Sequence, residues 1–199
     1  MCICTNNPAL FPSNLNALFN ASLALYHQFY DESFDEISDR IAKTGSAGKL
    51  DIIALAAWKR SAQGHWLDPL LRTPEITVRK VTAGAFAPNL TDACRVLALA
   101  QLDGFKAGKF AIGSAVLTAW NRAEFGVTDI HARRAIRDLF NNCNCKLSDY
   151  AGSYLPALRA LRDALNMSNS IAVTAWTART VDMALVMMDM TTTTPLGVL

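Results

Sequence analysis

The chain has 199 residues, of which 51% are hydrophobic and 18% charged, and its formal net charge is +2. That length carries one substantial domain or two small lobes, and half-apolar composition is enough to bury a core, which excludes a disordered chain. So mild a charge excludes attraction to a polyanion through the global field, leaving only local clustering to supply it.

Residues 1–11 carry no pattern, and Ser13 then suits the N-cap of a helix with Leu15, Leu18, Phe19, Leu23 and Tyr26 on one face. His27, set among those apolar and aromatic neighbours, reads as a core or surface histidine and not as a ligand. A second helix is predicted over residues 33–43, with Phe34, Ile37 and Ile41 inward and acids outward, closing at the turn between Gly45 and Gly48. The run LDIIALAAWKR over residues 50–60 is apolar until Trp58, Lys59 and Arg60 arrive together. That is the pattern of a buried helix whose end surfaces near a cleft or a partner; the plain alternative is a core tryptophan followed by solvated cations. Trp66, Leu67, Leu70 and Leu71 continue the apolar spacing, and Pro69 and Pro74 punctuate it. Another helix is predicted over residues 76–86, and Thr91 with Asp92 caps a helix through Val96, Leu97, Leu99 and Ala100.

The stretch over residues 102–134 is the most informative. Gly104 and Gly108 bracket Phe105, Lys106 and Ala107, and glycines at that density mark backbone that bends tightly or is approached closely. Lys106 and Lys109 lie in the same turn, and the helix that follows aims its unbonded N–H groups at an anion. From Phe110 the positions Ile112, Ala115, Val116 and Trp120 recur at helical spacing, with small Gly113 and Ser114 admitting a close neighbour. The helix ends near Asn121, and Phe125, Gly126 and Val127 lead inward to Asp129, ahead of His131, Arg133 and Arg134. The segment 133–140 is amphipathic, with Arg133, Arg134 and Arg137 on or near its polar side, as phosphate contacts or as a solvated face. Between Arg95 and Asp138, seven Lys and Arg face four Asp and Glu, so the clustering is present.

Two further helices are expected, over residues 154–165 and 171–188. Val181, Met183, Ala184 and Val186 look like packing, and Trp176, Arg179 and Asp182 point weakly to a pocket. Residues 191–199 read as a frayed tail. With no internal repeat and few strand patterns, the fold class expected is all-α.

The five cysteines make no disulfide framework: Cys2 and Cys4 lie in the unpatterned start, Cys94 in a helix, and Cys143 and Cys145 too close together to pair easily. Their C-x-C spacing lacks the usual metal-binding geometry, so no metal and no cofactor are expected. Arg179 and Asp182 interrupt the most apolar C-terminal run, and no basic region followed by an apolar core opens the chain. The expectation is a protein of a reducing, cytoplasmic compartment, without membrane association.

The hairpin turn, the apolar helix and the aspartate together resemble the helix-hairpin-helix DNA glycosylases, the group of endonuclease III and 8-oxoguanine DNA glycosylase. That family reads LPGVGxKTA in the turn, then an apolar helix, then VDTHxxR with the catalytic aspartate. Here LDGF opens the turn and Thr128, Asp129, Ile130 and His131 close the stretch. Two departures stand out. The turn is longer, with Lys106 in place of the second glycine, and the position of the family's Schiff-base lysine falls on Ala111. The four-cysteine iron–sulfur pattern of endonuclease III is absent.

The resemblance implies two helical lobes with a cleft between them: a central bundle of about residues 50–127, including a hairpin over 95–120, and a second lobe from 1–49 plus 128–199. It also implies a monomeric DNA glycosylase that flips a damaged or modified base from duplex DNA, with Asp129 as the catalytic residue. It would be monofunctional, without lyase activity, with Lys109 as the alternative nucleophile should the hairpin be shifted. Gly104, Lys106, Gly108, Lys109, His131 and Arg134 would contact DNA, and Trp58 and Lys59 would serve as wedge or base pocket. Oxidised purine, alkylated purine and modified cytosine remain open as substrates. The competing expectations are a non-catalytic helix-hairpin-helix DNA-binding module and an all-helical interaction protein.

Overall fold

The computed structural model of the chain describes residues 14–29, 33–59, 67–102, 105, 110–140, 146–168 and 175–193. Among the described residues the protein is all-α, as the residue pattern predicts, with ten α-helices, one π-helical turn and no strand. The chain divides into two compact units, one of residues 31–122 and one of residues 1–30 with 123–199. The joins thus fall at 30/31 and 122/123, where the motif reading set them near 49/50 and 127/128. The helix at residues 33–44 falls in the first of these units because it packs on the helices at 49–58 and 111–120.

The unit of residues 31–122 holds α2 (Ser33–Thr44), α3 (Lys49–Trp58), α4 (Leu67–Arg72), α5 (Glu75–Ala85), α6 (Asp92–Leu99) and α7 (Ala111–Trp120). Every residue of α7 from Ile112 to Ala119 is buried, and α2 and α3 both pack against it. A helix can be buried all round only if nearly every position is apolar or small, which the sequence AIGSAVLTAW satisfies. Gly113 is required there because a Cβ at that position would strike the Phe110 ring, which folds over the first turn. The C-terminal end of α7 is tied to α2 by polar bonds. Ser38 donates to the Ala119 carbonyl at 2.5 Å and accepts from Arg122 Nε at 2.9 Å.

α3 starts where its sequence says it should. Asp51, buried on the first turn, accepts from the Gly48 amide at 2.8 Å and from Arg40 Nε at 2.6 Å. α6 starts at Thr91, whose hydroxyl accepts from the Cys94 amide at 3.2 Å. α6 packs on α5 and carries Cys94 exposed.

The unit of residues 1–30 and 123–199 holds α1 (Leu15–Phe29), α8 (Ile130–Leu139), the π-helical turn Tyr150–Tyr154 running straight into α9 (Leu155–Ser168), and α10 (Ala178–Thr193). α10 is its centre, packed by α1, α8 and α9, with Val181, Met183, Ala184, Leu185 and Met187 buried. Met183 and Met187 of the C-terminal stretch are therefore core, while Met188 and Met190 are partly buried. α1 brings Leu15, Phe19 and Tyr26 to this core, whereas Leu18, expected on the same face, is 39% exposed.

One expectation about the C-terminal part needs correction. The last helix begins at Ala178 and not near residue 171. Thr177 and Thr180 exchange amide-to-hydroxyl bonds of 3.0 and 3.1 Å, and this reciprocal capping fixes its first turn. Trp176 is buried edge-on to Phe19 at 5.9 Å, and Arg179 and Asp182 form a buried ion pair of 2.6 Å.

Candidate functional site

The approach to Asp129 is built from buried backbone. Phe125, Gly126 and Val127 are buried without belonging to any helix, so their amides and carbonyls need partners from elsewhere. Side chains supply them. The Tyr150 hydroxyl donates to the Gly126 carbonyl and the Tyr154 hydroxyl to the Val127 carbonyl, each at 3.0 Å. The Val127 amide donates to Asp182 at 2.5 Å. Gly126 has no room for a side chain, since a Cβ would meet Leu158, the Asp182 carboxylate and the Ala178 carbonyl.

Arg179 makes the buried Asp182 tolerable. Its guanidinium donates to Asp182 at 2.6 Å and to the Tyr26 hydroxyl at 3.0 Å, and lies over the Tyr26 ring at 5.6 Å. Burial, reinforced by the nearby charge of Asp182 and then by Tyr150 and Asp129, pushes the Tyr154 hydroxyl well above its ordinary range. Tyr154 therefore stays a neutral donor.

Asp129 follows as the N-cap of α8, in extended conformation and partly buried. Its carboxylate accepts from the His131 amide at 2.9 Å, and its carbonyl accepts from the Arg133 amide at 3.1 Å and from Arg133 Nε at 3.2 Å. The cap explains why α8 begins at Ile130, three residues before the amphipathic segment predicted from residue 133. A helix N-terminus favours negative charge, so the position suits an ionised carboxylate.

In the first turn of α8, the His131 ring meets α10. Nδ1 lies 2.7 Å from the carboxylate of Asp189, which is buried, and Arg134 Nη1 lies 3.9 Å from the same oxygen. The structure thus brings Asp129, His131 and Arg134 together at the start of α8, with Asp189 behind the last two. Asp189, Tyr150 and Tyr154 were not singled out from the sequence. Asp182 and Asp189 stand seven residues apart in an apolar run, a spacing that puts two acids on one helix face, and this was the available signal.

Trp58 ends α3 partly buried, its ring 4.7 Å from that of Phe34, and Lys59 is the C-cap of the same helix. Gly104, Lys106, Gly108 and Lys109 lie outside the described residues, as do Arg60 and the C-x-C pairs Cys2 with Cys4 and Cys143 with Cys145. On either side of the glycine-broken stretch stand α6 and α7, and Ala111 is the first residue of α7.

The basic cluster read from residues 95–138 is smaller at the surface than its count implies. Arg95 is buried, donating to the carbonyls of Ala85 and Pro88 at 2.6 and 3.2 Å and lying over the Trp120 ring at 4.7 Å. Arg122 is engaged by Asp35 and Asp39. Arg134 and Arg137 are exposed.

Among the described residues no group of three or more His, Cys, Asp or Glu is arranged to hold a metal ion, and no helix is long and apolar enough to cross a membrane. In comparisons with known proteins, no family model, no curated protein and no solved structure matches the chain.

Proposed function

We propose that the protein is a monofunctional DNA glycosylase in which Asp129 assists cleavage of the N-glycosidic bond of a flipped, damaged or modified base. The observation that carries this reading is a carboxylate held at a helix N-terminus by a buried, side-chain-braced backbone segment. Breaking the bond builds positive charge on the sugar. A fixed anion beside it lowers that barrier because it needs no reorganisation when the charge appears. Water then adds to the sugar carbon as the base departs with the bonding electrons.

In this reading Gly104, Lys106, Gly108, Lys109, His131 and Arg134 grip the phosphate backbone, contacts that position without reading sequence. Trp58 or Lys59 fills the vacancy left by the flipped base, whose extrusion costs least when it is damaged or mispaired. Ala111 at the Schiff-base position favours hydrolysis over lyase chemistry, with Lys109 the alternative nucleophile. The enzyme acts as a monomer in the reducing cytoplasm, with no cofactor.

The second reading, a non-catalytic helix-hairpin-helix DNA-binding module, is favoured by the bond from the His131 amide to Asp129, which makes the aspartate a structural cap. Asp129→Asn separates the two, because asparagine caps a helix as well as aspartate does but carries no charge. A glycosylase loses about 100- to 1,000-fold in base release with that variant, with melting temperature and DNA affinity preserved. Base release is measured on a panel of duplexes carrying oxidised purines, alkylated purines and modified cytosines. A wild-type protein that binds these duplexes and frees no base from any of them establishes the module reading.

A further inference from the structure

Asp189 is 4% exposed, near the end of α10, and a buried carboxylate requires compensating partners. Partners for it come from α8: His131 Nδ1 at 2.7 Å and Arg134 Nη1 at 3.9 Å, the two side chains being 35% and 48% exposed. One oxygen of a buried acid therefore faces two half-exposed side chains from one helix, an imidazole and a guanidinium.

The chemistry of the ring then decides what the pair can bind. An imidazole that donates from Nδ1 to a carboxylate presents a lone pair at Nε2 when neutral and a second N–H when protonated. A phosphodiester only accepts, so it is held by the protonated ring alone. Among the described residues, the charged groups around the ring include Asp189 from α10 and Asp129, Arg133 and Arg134 from its own helix; farther along α10, Arg179 and Asp182 pair with each other. With a neutral imidazole these four surrounding charges cancel, and with an imidazolium the cluster carries a single positive charge.

We infer that His131, Arg134 and Asp189 form a proton-linked phosphodiester site at the start of α8, in which Asp189 is a positioning residue that orients both donors and balances the imidazolium. One proton is taken up as the DNA backbone binds. This inference rests on the DNA-binding part of the proposed function and is independent of base excision.

The test is fluorescence anisotropy with a short undamaged duplex, over about pH 6 to pH 8, where an imidazole changes charge. Wild-type affinity is expected to fall as pH rises, approaching about tenfold per unit, the limit for uptake of one proton. His131→Gln abolishes that dependence and reduces the slope of log affinity against log salt by about one, the signature of a lost phosphate contact. Asp189→Asn keeps an oxygen acceptor but no charge, and is expected to flatten the pH profile in the same way. Arg134→Gln, on an exposed side chain, lowers the salt slope and retains the pH dependence.

Wild-type binding that does not vary with pH overturns the inference. So does an Asp189→Asn protein that melts lower yet keeps the wild-type pH profile and salt slope, since that is the behaviour of a merely structural pair. Base release followed in parallel separates the two proposals. Release with pH-independent binding sinks only the proton-linked site, and proton-linked binding with no release sinks only the glycosylase. A chain that binds no duplex overturns both.

Discussion

Tyr154 illustrates how much of this protein's chemistry lies in single buried groups. Its hydroxyl satisfies a carbonyl two residues before Asp129, in surroundings that hold it well above its ordinary range. A folded-state value above the unfolded one, about 10, means that the native state prefers the protonated phenol. The contribution is whole below about pH 10 and is lost as pH rises through the folded value. Melting followed against pH is therefore expected to fall more steeply in the wild type than in Tyr154→Phe on the alkaline side. At neutral pH the variant is less stable by about 1 kcal/mol, the worth of one buried hydrogen bond. Asp129 was legible in the sequence because an apolar run precedes it and a basic amphipathic segment follows, both local signals. Tyr150, Tyr154 and Asp189 were not, because each acts on a residue distant in sequence, and a tyrosine in YAGSY or an aspartate in MMDM carries no mark of its partner.

At the scale of elements, helix starts rest on a few polar side chains. Asp51 accepts from the amide of Gly48, the N-cap of α3, and also receives Arg40, so one carboxylate joins α2 to the head of α3. Asp51→Ala is expected to destabilise the protein by about 2 kcal/mol, from a lost cap together with a charge-assisted bond, and Asp51→Asn by less than half of that. Chemical denaturation of the two variants checks the difference. α2 was readable because burial of one face writes itself into spacing, and α3 and α7 because their runs are almost wholly apolar or small. The start of α10 was not: residues 171–177 are apolar enough to pass for helix, and the reciprocal Thr177 and Thr180 cap that sets the boundary looks like ordinary polar residues. The basic count over residues 95–138 misled in the same way, because spacing cannot tell that Arg95 is packed against Trp120.

For the whole molecule, a formal charge of +2 means that any grip on DNA comes from few contacts. The side chains proposed for it are Lys106, Lys109, His131 and Arg134. Each phosphate neutralised contributes about 0.9 to the slope of log affinity against log salt, so a magnitude of roughly 3 to 4 is expected. A slope twice as steep in a salt titration of duplex binding would require a basic surface other than this one. The last helix sets a different constraint. Asp182 braces the backbone before Asp129 while Asp189 engages the side chains just after it, and both ride on the single rod of α10. Inserting one amino acid between them would swing the second carboxylate about 100° around the helix axis and carry it about 1.5 Å along it. Descendants of this gene can therefore exchange the residues between the two acids, but they cannot change how many residues stand there.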